Sequence, residues 1–275
     1  MAVITISRGS YSGGRDVAVK LAEKLGYQCV AREALLEASA QFNIPEARLV
    51  RAVHDAPSFL GRFAYGKEKY IAYIQAALVR HVRQDKVVYH GLAGHLLLHG
   101  VAHVIKVRIT ADHERRIAIV MERDKVGRPE AERILKNDDA ERRAWTMSLY
   151  GADPTDSSLY DVVLHVGRMT VDEAADILAS VARLPSFATT PASQKAMDDL
   201  GLAAEVRCRL VELMPNARVH ADQGKVTVET TTAAVPLASL REQMTAEIRA
   251  LAASVPGVQE VRVVESEPNP YMSGD

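Results

Sequence analysis

"SRGSYSGGRD", residues 7–16, is the stretch whose reading decides the fold. It follows the apolar run "VITI" (3–6). It precedes "VAVKLAEKLG" (17–26), whose apolar residues recur at helical spacing and which stops on Gly26. Strand, glycine-rich loop and helix in that order form the setting of a phosphate-binding loop. There, backbone N–H groups and the positive end of the helix converge on an anion. Gly9, four residues, Gly14, a cation and one further residue follow the spacing G-x-x-x-x-G-K-[ST]. The cation is Arg15 rather than Lys, and the last position holds Asp16 rather than Ser or Thr. Arg15 neutralises phosphate and can bind two of its oxygens at once. Asp16 suits the first turn of a helix through the helix dipole, which alone accounts for it. A carboxylate about 4 Å from a phosphate would be repelled by on the order of 4 kcal/mol at an effective dielectric near 20. Asp16 therefore either points away, or a divalent cation stands between it and the phosphates. The plain alternative for the whole stretch is an ordinary strand-to-helix turn.

Working outward, strands and helices alternate through residue 183. "YQCVA" (27–31), "KVVYHG" (86–91), "HVIKVRIT" (103–110) and "LYDVVLHV" (159–166) read as strands. "REALLEASAQF" (32–42), "EARLVRAVHD" (46–55), "KEKYIAYIQAALVRHVRQ" (67–84), "DHERRIAIVMER" (112–123), "RPEAERILKNDDAERRAW" (128–145) and "TVDEAADILASVARL" (170–184) read as helices. Repeated strand–helix units predict an α/β, three-layer P-loop NTPase-type domain, a parallel sheet with helices on both faces. Ligands in such sheets bind beyond the carboxyl ends of the strands, where the loop would lie.

"PSFATTPASQK" (185–195) has two prolines and small polar residues and reads as a linker. Beyond it, helix "AMDDLGLAAEVRCRLVELM", strands "ARVHAD" and "KVTVETTT" turning at Gln223-Gly224, helix "ASLREQMTAEIRALAASV" and strand "VQEVRVVE" give an α-β-β-α-β order. The expected division is 1–184, a linker at 185–197, a small α+β unit at 198–267 and a tail at 268–275.

A formal net charge of -1 on 275 residues supplies no global field to pull the chain onto nucleic acid or an anionic membrane. Two distant cysteines, Cys29 and Cys208, no membrane-length apolar run and no signal-peptide core lead to an expected cytoplasmic location. His90, His95, His99 and His103 lack the cysteine or carboxylate partners of a zinc site and read as partly exposed. Arg115, Arg116, Arg123, Arg128, Arg133, Arg142 and Arg143 crowd one third of the domain. Such cations can close over a transferring phosphoryl group, or lie on solvated helix faces beside Glu122, Glu130, Glu132 and Glu141.

"ITISRGSYSGGRDVAVKLAEKLGY" resembles the opening of the cytidylate kinase-like family, whose members commonly carry Gly-Arg-acid at the end of this loop. "VVYHGLAGHLL", "RITADHERRIAIVMER" and "NDDAERRAWTMSLYGADPTDSSLYDVVLHVGRMTVDEAADIL" are similar to its third strand, its pre-lid strand and helix, and its lid and last strand. The resemblance implies ATP-dependent phosphoryl transfer to a nucleoside monophosphate, CMP or dCMP. ATP and Mg²⁺ would be the cofactors. Gly9, Ser10, Tyr11, Ser12, Gly13, Gly14, Arg15 and Asp16 would bind ATP, Asp16 would hold the metal, and Arg15, Arg142 and Arg143 would act on the phosphoryl group. The acceptor would meet Arg62, His90 and Gly91. The family's Gly-Arg after the third strand is here Gly91-Leu92, which keeps open a second reading: a nucleotide-binding sensor of impaired catalysis. "GRFAYGKEKY" (61–70) offers Arg62, Lys67 and Lys69 among rings as an acceptor wall, or is an ordinary loop. "GKVTVETT" and "LAASVPGVQEVRVVE" resemble a BON domain, a module of ligand or membrane-surface attachment whose partner here is open. Its other reading is a packing or dimerisation module.

Overall fold

The computed structural model describes residues 2–31, 66–91, 93–230 and 238–265. The expected helices within 32–65, together with Arg62 and Leu92, lie outside the described residues.

"VITI" opens β1 (Val3–Arg8), and the glycine loop hands the chain to α1 (Gly14–Leu25). There follow β2 (Gln28–Val30), α2 (Gly66–Val82), β3 (Val87–His90), the single turn α3 (Gly94–Leu97) and β4 (Val104–Ala111). Then come α4 (His113–Asp124), α5 (Arg128–Tyr150), β5 (Val162–Val166) and α6 (Val171–Val181). The strands order as β2-β3-β1-β4-β5, and every pairing is parallel. The chain leaves β1 toward one edge and β4 toward the other. The crevice of the sheet therefore opens at the carboxyl ends of these two neighbours.

Strands buried on both faces are rich in apolar β-branched residues, and β1 reads "VITI", its one polar side chain, Thr5, buried and donating to the Ile105 carbonyl at 3.3 Å. Val3, Val87 and Val104 point to one face, against Ile74 and Leu78 of α2, Leu97 of α3 and Trp145 of α5. Ile4, Ile6, Val107 and Ile109 point to the other, against Val17 and Leu21 of α1 and Leu178 of α6. α6 starts with the capping box of Thr170 and Glu173.

The stretch expected as a linker is structured. Pro185–Phe187 is a 3₁₀ turn, and α7 runs from Pro191 to Leu210. Thr190 caps it: its Oγ1 accepts from the Ser193 N–H at 3.1 Å, and the Thr190 N–H reaches Ser193 Oγ at 3.0 Å. Proline suits the first helical position, so the composition that suggested a linker builds a helix start instead. Met197 of α7 is buried in the core of the first sheet. Ala204 and Cys208 pack on Ala72 and Ala76 of α2.

After α7 come β6 (Arg218–Asp222), β7 (Lys225–Thr230), α8 (Ala238–Ala253) and β8 (Glu260–Glu265). β6 and β7 are antiparallel about Gln223-Gly224, whose φ angles of 50° and 85° are those a two-residue hairpin turn requires. β7 and β8 are parallel. Val206 and Leu210 of α7 join Val226, Val228, Ile248 and Ala252 in the core of this smaller sheet. One helix thus seals two cores. Among the described residues no helix is long and apolar enough to cross a membrane.

Candidate phosphate-binding site

The loop after β1 is held from three sides. The Gly9 N–H donates to the carbonyl of Ile109 on β4 at 3.1 Å, and Ser12 Oγ donates to the Gly9 carbonyl at 2.9 Å. Arg116 Nε of α4 donates to the carbonyl of Ser10 at 2.7 Å. Tyr11 and Gly13 take left-handed backbone angles, φ 57° and 75°. A Cβ on Gly14 would come within 2.7 Å of Arg8 Cβ, so only glycine lets the helix start pass this close to the strand end. The first intrahelical bond runs from the Val17 N–H to the Gly13 carbonyl. The N–H groups ahead of Val17 have no intrahelical acceptor. Ser10 is buried and its Oγ has no hydrogen-bond partner. A helix start whose N–H groups lack intrahelical acceptors, with a buried hydroxyl without a partner beside it, suits a phosphate.

Beside the loop lies a cleft of about 370 Å³, lined among others by Gly9, Arg8, Arg108, Arg116, Arg142 and Arg143. Ser7 pairs with Arg108 in the parallel register, so the strand ends themselves deliver two of the cations. Burial, the nearby Arg142 and the nearby Arg15 lower the Arg8 pKa from its ordinary value, against a weaker opposite pull from Asp16. Arg116 is committed to both carboxylate oxygens of Asp139 at 2.6 Å, which ties the loop to α5. Arg143 pairs with Asp153 at 2.6 Å. Arg128 and Arg133 pair with Glu114, Glu132 and Glu130 on the exposed helix surface. The arginine cluster thus divides: Arg116, Arg142 and Arg143 face the cleft, Arg128 and Arg133 do not. Arg123 stacks over the Tyr11 ring at 4.5 Å from its centroid.

Of the expected site residues, Gly9 to Gly14 form the loop, and Arg15 and Asp16 are exposed on the first turn of α1. No cluster of three or more metal-ligating His, Cys, Asp or Glu side chains occurs among the described residues, so Asp16 would offer a metal a single carboxylate. Arg142 and Arg143 line the cleft; His90 ends β3 and Gly91 follows it, both outside the lining, where Ala93 and His95 stand instead. Arg8, Arg108 and His95 were not singled out as site residues from sequence. The expectation of partly exposed histidines fails at two positions, because His95 and His103 are buried with no partner for either ring nitrogen. His95 packs on the Tyr160 ring, and burial, helped by Arg108 and Lys106, pulls its pKa down to about 4.

A crystal structure of an uncharacterized protein from Eubacterium ventriosum superposes with a TM-score of 0.51 at 22% identity, over 66% of this chain and 98% of that one. A shikimate kinase from Bacteroides thetaiotaomicron superposes with a TM-score of 0.41 at 11% identity, over 66% and 99%. No curated protein sequence matches. The family model described as "Cytidylate kinase-like family" matches residues 3–168, from the first residue of β1 to just beyond β5, and so takes in the loop, the cleft and the whole parallel sheet. Over more than half its length, this chain belongs to the cytidylate kinase-like family.

Proposed function

We propose that the protein is a phosphotransferase that moves the γ-phosphoryl group of ATP to the phosphate of a nucleoside monophosphate, CMP or dCMP. The observation that carries this is the cleft beside the glycine loop, where Arg8, Arg108, Arg142 and Arg143 stand with Gly9. Guanidinium groups lining one cleft are stabilised by a polyanion between them. The loop N–H groups would cradle the ATP phosphates, and Arg15 would offset their charge. Arg142 and Arg143 would spread the charge that grows on the phosphoryl group in flight. Mg²⁺ bound with the nucleotide would be met by the Asp16 carboxylate and would neutralise part of the phosphate charge.

A second reading is a nucleotide sensor that signals through the C-terminal unit. α7 favours it, since this helix packs on α2 and on the smaller sheet at once. The α-β-β-α-β order of that unit supports its likeness to a BON module. The deciding experiment offers ATP, Mg²⁺ and each of the common nucleoside monophosphates. Diphosphate product from CMP or dCMP supports the kinase. ATP binding without turnover of any acceptor supports the sensor, and absence of nucleotide binding overturns both.

A further inference from the structure

Thr110, His165 and Asp112 form a relay at the carboxyl ends of β4 and β5. Thr110 and His165 are register partners in the parallel ladder, so their side chains leave the same face of the sheet. Thr110 Oγ1 lies 3.0 Å from His165 Nδ1, and His165 Nε2 lies 3.0 Å from Asp112 Oδ1. Asp112 sets the tautomer. A bare Nε2 lone pair facing a carboxylate oxygen at that distance would be repelled, so the neutral ring carries its proton on Nε2 and leaves Nδ1 to accept from Thr110. The hydroxyl has a second acceptor, the Leu164 carbonyl, but at the longer 3.3 Å.

Two further features bear on the carboxylate, which is exposed and has His165 as its ion-pair partner. Asp112 is the N-cap residue of α4, where an aspartate normally accepts from its own helix, yet it makes no such bond. Gly167 lies directly against its Oδ2, so a Cβ there would push the carboxylate off its place beside His165. A nucleophile, a base in hydrogen-bond reach and a group orienting the base make up the general arrangement of an activated hydroxyl. Thr110 lines the same cleft as Gly9, Arg8 and Arg142.

We infer that Thr110 is a self-phosphorylation site, with His165 as its general base and Asp112 as the positioning residue. This rests on the reading of the cleft as a nucleoside triphosphate site. Thr110 Oγ1 forms a bond to the γ-phosphorus as the bond from that phosphorus to the β–γ bridging oxygen breaks. The nucleoside diphosphate leaves with the electron pair, and the hydroxyl proton passes to His165 Nδ1. The phosphothreonine then sits in a cleft lined by Arg8 and Arg142, which can pair with it and close the cleft to further substrate.

The test incubates the full chain with γ-³²P-labelled ATP and Mg²⁺ and locates the label by mass spectrometry of tryptic peptides. Binding of a fluorescent ATP analogue is measured in parallel on every variant. The expected result is one phosphate on Thr110, lost in Thr110→Val, kept in Thr110→Ser, and formed at least tenfold more slowly in His165→Gln and Asp112→Asn. Nucleotide bound by the wild type without label on Thr110 overturns the inference, as does an undiminished rate in His165→Gln that still binds the analogue. No binding of the analogue to the wild type overturns the nucleotide reading itself.

Discussion

The hydroxyl of Tyr11, in the glycine loop, donates to Asp138 Oδ2 of α5 at 2.6 Å across 127 residues of chain. Burial and this carboxylate together raise the tyrosine's pKa above its ordinary value, against the pull of Arg123. The contact fastens the glycine loop to the helix that also carries Arg142 and Arg143. Tyr11→Phe removes the bond and keeps the ring under Arg123. It is expected to cost about 1 kcal/mol of stability and to weaken ATP binding several-fold as loop and helix lose their common position. Thermal unfolding and an ATP-analogue titration check both. Unchanged affinity would mean that the contact only braces the fold.

The burial of Met197 makes α7 part of the first core. Met197→Ala is expected to destabilise the protein by about 2–5 kcal/mol. A fragment ending at residue 184 loses Met197 and uncovers Ala72 and Ala76, whereas one ending at 215 keeps α7. The longer fragment should melt at the higher temperature. Equal melting of the two would show that residues 1–184 are self-sufficient.

His95 couples stability to acid. Its folded-state pKa, about 4, lies below the unfolded value near 6.5, so below 6.5 the unfolded chain binds the proton first. Its contribution is complete above pH 6.5, declines as pH falls, and levels off below about 4, a loss on the order of 3 kcal/mol. Burial lowers the pKa of His103 as well, in the same direction. Melting temperatures between pH 7 and pH 4 should fall in wild type and fall less in His95→Phe, which keeps an aromatic ring on Tyr160. Parallel curves would place the acid sensitivity elsewhere.

The loop and the sheet were legible because their signals are local. Gly9 to Asp16 carry their own punctuation, and the strands announce themselves as short runs rich in Val and Ile between loop and helix patterns. Arg8 and Arg108 were not legible as a pair. They are 100 residues apart, and only the β1–β4 register brings them to one cleft. His95 was misread for a related reason: one turn of helix on an apolar face gives no hint that Tyr160, 65 residues on, covers it. The start of α7 was legible after all. Thr190, Pro191 and Ser193 are a cap, a first helical residue and a reciprocal partner, but their composition also suits a loop.

Arg15 and Asp16 stand side by side on the exposed first turn of α1 and act on Arg8 with opposite signs. Arg15 attracts phosphate and Asp16 repels it unless a divalent cation intervenes, which turns one repulsion into two attractions. Arg15→Ala should therefore weaken ATP binding about tenfold with Mg²⁺ and with chelator alike, the scale of one charge-assisted hydrogen bond. Asp16→Asn should separate the two buffers. With Mg²⁺ it removes a metal ligand and weakens binding; with EDTA it removes only repulsion and leaves binding unchanged or tighter. If Asp16 serves the helix dipole alone, the variant loses a little stability and binds like wild type in both buffers. Titrating a fluorescent ATP analogue into wild type and both variants distinguishes the outcomes. Identical wild-type and Asp16→Asn affinities throughout would remove the metal from this residue and shift the balance toward the sensor reading.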